Sequence, residues 1–127
     1  MLKVCALAAT PAFLPIVVPH YSGMEVSIPL FRSQLADPTV TIDALKHLYA
    51  AYYTKGLVHF AAASDESGFL SSAALSGKDI LEVSVYGNEE RILLVSRFDN
   101  LGKGASGAAI QNMNLVLGVD EATGLCV

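Results

Sequence analysis

Between Asp99 and Gly118 the sequence reads DNLGKGASGAAIQNMNLVLG, and no other stretch limits the fold so narrowly. Gly102 and Gly104 permit positive φ and a close approach of backbone. From Ala105 onward, Ala109, Ile110, Met113, Val116 and Leu117 recur at helical spacing, while Gln111, Asn112 and Asn114 fall on the other side. The pattern predicts the end of a strand, a glycine-rich turn, and a helix that stops at Gly118, with Ser106 as N-cap or first-turn residue. Ala105, Gly107 and Ala108 keep the first turn small, so the helix can lie close against a sheet or a ligand.

A glycine turn feeding a helix start suits a phosphate, a carboxylate or an amide carbonyl, because unpaired N–H groups point outward there. It is not a P-loop, since the spacing GxxxxGK[ST] is absent. Gly102-x-Gly104-x-x-Gly107 fits the letters of the dinucleotide fingerprint, but no acidic residue follows about twenty positions on within a βαβ unit. Asp120 and Glu121 come only after the helix. A packing turn and a ligand turn both remain open from chemistry alone.

With 127 residues the chain is long enough for one domain with a real core. Hydrophobic residues make up 53% and charged residues only 16%, so part of the apolar surface is expected to be covered by another domain or subunit. The formal charge of −4, with the basic residues scattered, argues against a nucleic-acid partner. Cys5 and Cys126 lie near the two ends with no CxxC partner, and suggest reduced cytosolic thiols. His20, His47 and His59 have no metal-ligand spacing. The apolar run after Lys3 is short and interrupted by Pro11 and Pro15, so neither a signal peptide nor a membrane span is expected.

Taken in order, residues 1–11 read as the tail of a helix, and Phe13 to Val18 as an edge strand restricted by Pro15. Pro19 to Gly23 make a turn, and Met24 to Phe31 alternate as a half-buried strand. Thr41 is placed to cap a helix with Asp43 in its first turn, an apolar stripe of Leu45, Leu48, Tyr49 and Tyr52, and Gly56 as its stop. Leu57 to Ala62 read as a short strand. Ser64 to Gly77 read as a loop or weakly periodic helix anchored by Phe69 and Leu70. Ile80–Tyr86 and Arg91–Phe98 form a hairpin around Gly87 and Asn88, and its second strand feeds Asp99 and Asn100 into the glycine turn. The sum is an α+β chain: a mostly antiparallel sheet covered by helices on one face.

The run FDNLGKGASGAAIQNMNLVLG, with EATGL after it, resembles the C-terminal segment of N-acetyl-gamma-glutamyl-phosphate reductases. PAFLPIV, YSGMEVSIPLF and IDALKHLYAAYY support the resemblance, which runs from about Ala12 to Leu125. It implies the glyceraldehyde-3-phosphate dehydrogenase-like C-terminal fold. It also implies an NADPH-dependent cytoplasmic reductase of arginine biosynthesis, acting on N-acetyl-gamma-glutamyl phosphate.

In such enzymes a cysteine thiolate attacks the acyl group and NADPH supplies hydride to the thioester. The family's Gly-Cys-Tyr-Pro and HxHxPE motifs lie upstream of the part matched here, and neither Cys5, Cys126 nor His20 fits them. The resemblance therefore implies no catalytic residue and no metal site in this chain. It implies one domain over residues 1–127, a substrate and oligomerisation part that lacks its N-terminal Rossmann half. That half would hold most of the NADP, and the complete protein would be a homo-oligomer.

Asn100 carries over as the residue near the nicotinamide carboxamide, since a side-chain amide can both donate and accept. Gly102, Lys103 and Gly104 follow as cofactor-side positions, with Lys103 facing anionic groups. The rival readings are a non-enzymatic α+β module that binds a ligand or partner, and a decayed fragment.

Overall fold

The computed structural model describes residues 3–63 and 67–127. Strand β1 spans Met24–Phe31, helix α1 Ile42–Tyr52, β2 Val58–Phe60, β3 Leu81–Gly87 and β4 Arg91–Phe98. A π-helical turn over Gly102–Ser106 then runs directly into helix α2, Gly107–Leu117. The strands form one sheet in the order β1-β4-β3-β2.

The β3–β4 hairpin is the centre of the sheet. Asn88 accepts from the N–H groups of Glu90 and Arg91, each at 2.9 Å, and its own N–H donates to Arg91 O, so one side chain closes the turn. Gly87 stands at φ +144°, where an added Cβ would lie 2.3 Å from Arg91 O, which is why a glycine opens this turn.

β1 pairs antiparallel with β4 and β3 antiparallel with β4, but β2 joins β3 in parallel. The sheet is thus mixed, not mostly antiparallel as the alternation suggested. A parallel neighbour needs a crossover, and the segment between β2 and β3 supplies it. Periodicity reports which face a residue takes, not which way its strand runs.

Bridge partners share a face, so the register sorts the sheet. Leu30, Ile92, Leu94, Val85, Val83, Val58 and Phe60 fall on the face where α1 packs across β2 and β3. The opposite face carries Arg97, Val95 and Ser84, all buried, and there the β2–β3 crossover lies. Arg97 fixes it by donating to Ser71 O at 3.2 Å while pairing with Glu82 at 2.9 Å. Leu75, not Phe69, is the buried anchor of this segment; Phe69 is exposed and Leu70 half-buried. Ser64–Glu66 of the expected loop lie outside the described residues, as do Met1 and Leu2.

α1 begins as its sequence indicates, with Thr41 Oγ accepting from Ala44 N at 3.0 Å and Asp43 in the first turn. It ends at Tyr52, with Tyr53 as C-cap, short of Gly56, because Tyr53 leaves helical backbone angles. Arg32 ties the neighbouring loops together through the carbonyls of Val40, Asn88 and Glu89, a packing role for an exposed-looking arginine.

Three further expectations are corrected. Residues 3–9 form turns and bends, not a helix, and residues 11–18 form no strand. Pro11, Pro15 and Pro19 remove backbone donors at regular intervals, and Phe13, Leu14, Ile16 and Val17 stay exposed. Among the described residues only α1 covers the sheet face. α2 continues from the end of β4 through the π turn, with Met113, Leu115, Val116 and Leu117 exposed. Helical spacing marked that apolar side correctly but carries no information about what lies against it.

Ile92 is 1% exposed and Val116 85% exposed, though both are apolar. Ile92→Ala should therefore cost about 2–5 kcal/mol in urea denaturation, whereas Val116→Ala should stay within about 0.5 kcal/mol. Equal losses at the two positions would contradict this division of core from surface.

Candidate functional site

The residues singled out by sequence meet where β4 ends. Asp99 is the hub, 3% exposed. Its Oδ1 accepts from the N–H groups of Leu101 (2.7 Å) and Gly102 (3.0 Å), and its Oδ2 accepts from the Ser22 hydroxyl (2.8 Å) and from Gly77 N–H. Ser22 Oγ in turn contacts Ser76 Oγ. One carboxylate thus joins the turn before β1, the end of the crossover and the start of the last helix.

Burial alone would raise the Asp99 carboxyl. The hydrogen bonds from Gly77, Gly102, Ser22 and Leu101 favour the ionised form more strongly, and the value falls from 3.8 to about 2.

This arrangement alters the reading of the glycine run. The helical path starts at Gly102, not Ala105, through i→i−5 bonds from Gly104 N to Asp99 O, Ser106 N to Leu101 O and Gly107 N to Gly102 O. Asp99 is the side-chain cap; Ser106 Oγ instead donates back to Leu101 O at 2.8 Å. A carboxylate of the chain itself occupies the position an external anion takes at a free helix start.

The wide turn depends on small residues. A Cβ on Gly107 would sit 2.0 Å from Asp79 Oδ1 and one on Gly102 2.9 Å from the same atom, while one on Gly104 would press on the Phe98 ring at 3.0 Å. Asp79 also binds the C-terminal tail, accepting from Cys126 N and donating its own N–H to Cys126 O.

Asn100 is half-buried, and its Oδ1 accepts from Gly23 N–H at 2.8 Å. Gly23 sits at φ +120° with Ser72 O 2.4 Å from the place a Cβ would take, so this pairing excludes side chains. Lys103 turns away from Asn100: its Nζ donates to Gln111 Oε1, and Gln111 Nε2 donates to Glu121 at 2.7 Å. The structure therefore groups Asn100 with Gly23, and Gly102 and Gly104 with Asp99, while Lys103 joins a separate polar chain along α2.

Ser22, Gly23, Asp79 and Asn114 were not singled out as site residues by sequence. The position of Asp99 just ahead of a helix was the one available signal, since aspartate is a favoured N-cap. Asn114, buried in the second half of α2, donates to Glu121 O and Thr123 O and folds the tail back along α2. Gly118, in the left-handed region, closes α2 with a Schellman pair: Val119 N to Asn114 O and Gly118 N to Leu115 O. Among the described residues no cluster of His, Cys, Asp and Glu is arranged to hold a metal ion, and no helix is long and apolar enough to cross a membrane.

No family model matches the chain. Comparison with curated proteins is decisive instead. A protein of Nostoc sp. named N-acetyl-gamma-glutamyl-phosphate reductase 2 is 40% identical over 126 residues, 94% of this chain and 39% of its own length. The reductase of Methanosarcina barkeri is 37% identical over 89% of this chain and 32% of its own length, and that of Sinorhizobium fredii 36% over 87% and 37%. The chain matches the N-acetyl-gamma-glutamyl-phosphate reductases along nearly its whole length. It spans between about a third and two fifths of those relatives and corresponds to their C-terminal part. The α+β sheet and helices described above are consistent with the glyceraldehyde-3-phosphate dehydrogenase-like C-terminal fold that this reductase similarity implies.

A carboxyl whose folded-state value lies below its ordinary one adds stability that is complete above the ordinary value and disappears as pH falls through the folded one. For Asp99 that window runs from 3.8 down to about 2. The wild-type urea midpoint should fall across it. Asp99→Asn should remove that part of the slope and cost about 1–3 kcal/mol at neutral pH. Parallel acid profiles for the two chains would show that the carboxylate does not hold the junction.

Proposed function

We propose that this chain is the substrate and oligomerisation domain, residues 1–127, of a cytoplasmic NADPH-dependent N-acetyl-gamma-glutamyl-phosphate reductase of arginine biosynthesis. The supporting observation is the 40% identity over 94% of the chain to a protein named as that reductase. The relatives' further length gives room for a Rossmann half that carries the nucleophilic cysteine, the histidine and most of the NADP site. In this reading the chain alone is catalytically incomplete, and Cys5 and Cys126, both exposed and outside the Asp99 junction, take no part in the chemistry.

When bound, NADPH would supply the hydride that turns the acyl group into an aldehyde. This chain's own contribution is positional. Asn100 has the chemistry to meet a nicotinamide carboxamide, because its Nδ2 has no partner among the described residues and is not sealed in the interior. Gly102 and Gly104 hold the wide turn that carries Asn100, and Lys103, its Nζ bonded to Gln111, adds a positive charge near the same helix start.

The exposed apolar residues fit a domain that is covered in its full assembly. Met113, Val116 and Leu117 line the free side of α2. A separate groove runs between α1 and the sheet, lined by Leu30, Leu48, Tyr49, Tyr52, Ile92 and Leu94. Apolar surface on this scale is typical of packing sites for another domain or subunit.

The purified chain should oxidise no NADPH with N-acetyl-gamma-glutamyl phosphate. Placed behind the upstream part of the Nostoc relative it should restore turnover. Activity of the chain alone, abolished by Cys5→Ser, would overturn the assignment of the nucleophile to the upstream part of the relatives. Alone, the chain should also self-associate in sedimentation and enhance ANS fluorescence; a monomer silent to the dye at high concentration would argue against missing partners.

A further inference from the structure

We propose that residues 11–18 form an arm by which two copies of this chain join, each arm lying in the other copy's groove between α1 and the sheet. The inference stands on two surfaces of this chain and not on the reductase reading.

The arm is apolar and bare. Phe13 is 71% exposed, Leu14 and Ile16 84% and Val17 95%. No Asp, Glu, Lys or Arg occurs between Lys3 and Glu25, so no charge favours keeping these side chains in water. The backbone is stiff all the same. Pro11, Pro15 and Pro19 each fix φ at about −65° and hold the residue before them extended. An extended chain of this kind repeats every three residues and rises about 3.1 Å per residue. Phe13 and Ile16 then share one side, about 9 Å apart, with Leu14 and Val17 beside them. A segment so constrained loses little freedom when it docks. Its missing N–H groups weaken any backbone ladder, so side chains must hold it.

The groove has the matching form. Leu30, Leu48, Tyr49, Tyr52, Tyr53 and Ile92 belong to its wall, which contains no charged residue, and its volume is about 320 Å³. A helix, about 10–12 Å across with its side chains, is too wide for that space. Single side chains of an extended segment fit it, and aromatic-lined grooves commonly seat segments punctuated by proline. Leu48 is 62% and Tyr52 77% exposed, so the wall is as bare as the arm.

The chain's own arm does not fill the groove. Ser22–Asp99 and Gly23–Asn100, both at 2.8 Å, pin the root of the arm at the Met24 end of β1. The groove lies at the Leu30 end, where Leu30 pairs with Ile92, and none of residues 11–18 lines it. Exchange between two copies is self-complementary, since each offers one arm and one groove. Each arm removes about 400 Å² of its own apolar side-chain surface from water. With a like area of groove, two exchanged arms bury about 1,600 Å², the standard size of a specific interface. One arm in its own groove would bury only half of that.

Sedimentation of the full chain tests the exchange. The wild type should be a dimer that dissociates on dilution. Phe13→Asp together with Ile16→Asp should weaken it roughly a hundredfold or more, and Leu48→Glu in the groove wall should do the same. These positions are exposed, so both variants should keep the wild-type circular dichroism. Tyr52→Ser serves at the same wall should Leu48→Glu lose helix signal. Mixed together, the arm variant and the groove variant should form a heterodimer at concentrations where neither pairs with itself, because one intact arm still meets one intact groove. A monomeric wild type would leave the groove to another domain and overturn the proposal. An arm variant that dimerises like the wild type would overturn it too, as would a mixture whose defects do not complement.

Discussion

The buried Asp99 carboxylate is the interaction on which the rest of this structure depends. Four donors from three separate segments converge on it: Ser22 from the approach to β1, Gly77 from the crossover, and Leu101 and Gly102 from the helix start. A charge with so little exposure survives only when its lone pairs are engaged. The converse also holds, since each segment finds its place by satisfying the same group. Without the carboxylate, the ends of β1, β3 and β4 would share a sheet, but the turns beyond them would have no common reference point.

Local geometry around that hub follows from size more than from charge. The π-helical turn widens the helix start enough for i→i−5 bonds, and Gly102 and Gly107 let Asp79 approach from the side. Asp79 then holds the tail through Cys126, and Asn114 holds it again through Glu121 and Thr123. Carboxylate and amide side chains thus perform much of the fastening at this end of the molecule. The other end is conventional, with Ile92 and Val85 buried between β-sheet and α1. A domain so divided has a firm half and a half whose apolar side, along α2, remains uncovered.

The exposed side of α2, with Asn100 adjoining it, lies on the half of the molecule fastened by polar contacts. The adjacent hydrogen bonds Ser22–Asp99 and Gly23–Asn100 fix the position of the Asn100 amide within the fold.

Much of this was legible in the amino-acid sequence. The hairpin at Gly87-Asn88, the capped helix after Thr41, the extended run from Met24 to Phe31 and the stop at Gly118 each depend on neighbouring residues only, through turn chemistry, capping and periodicity, although Val26 and Ile28 of that strand are exposed and not half-buried as their alternation suggested. Motif likeness in DNLGKGASG was enough to indicate the reductase family. What tertiary structure decided was every relation between distant segments: the parallel pairing of β2, the failure of residues 11–18 to join the sheet, and the position of α2 away from the sheet face. It also decided the partners of Asp99 and Asn100, because Ser22 and Gly23 stand 77 positions away in sequence from the groups they bind. Periodicity gives a residue its face, and only the folded chain determines what that face meets.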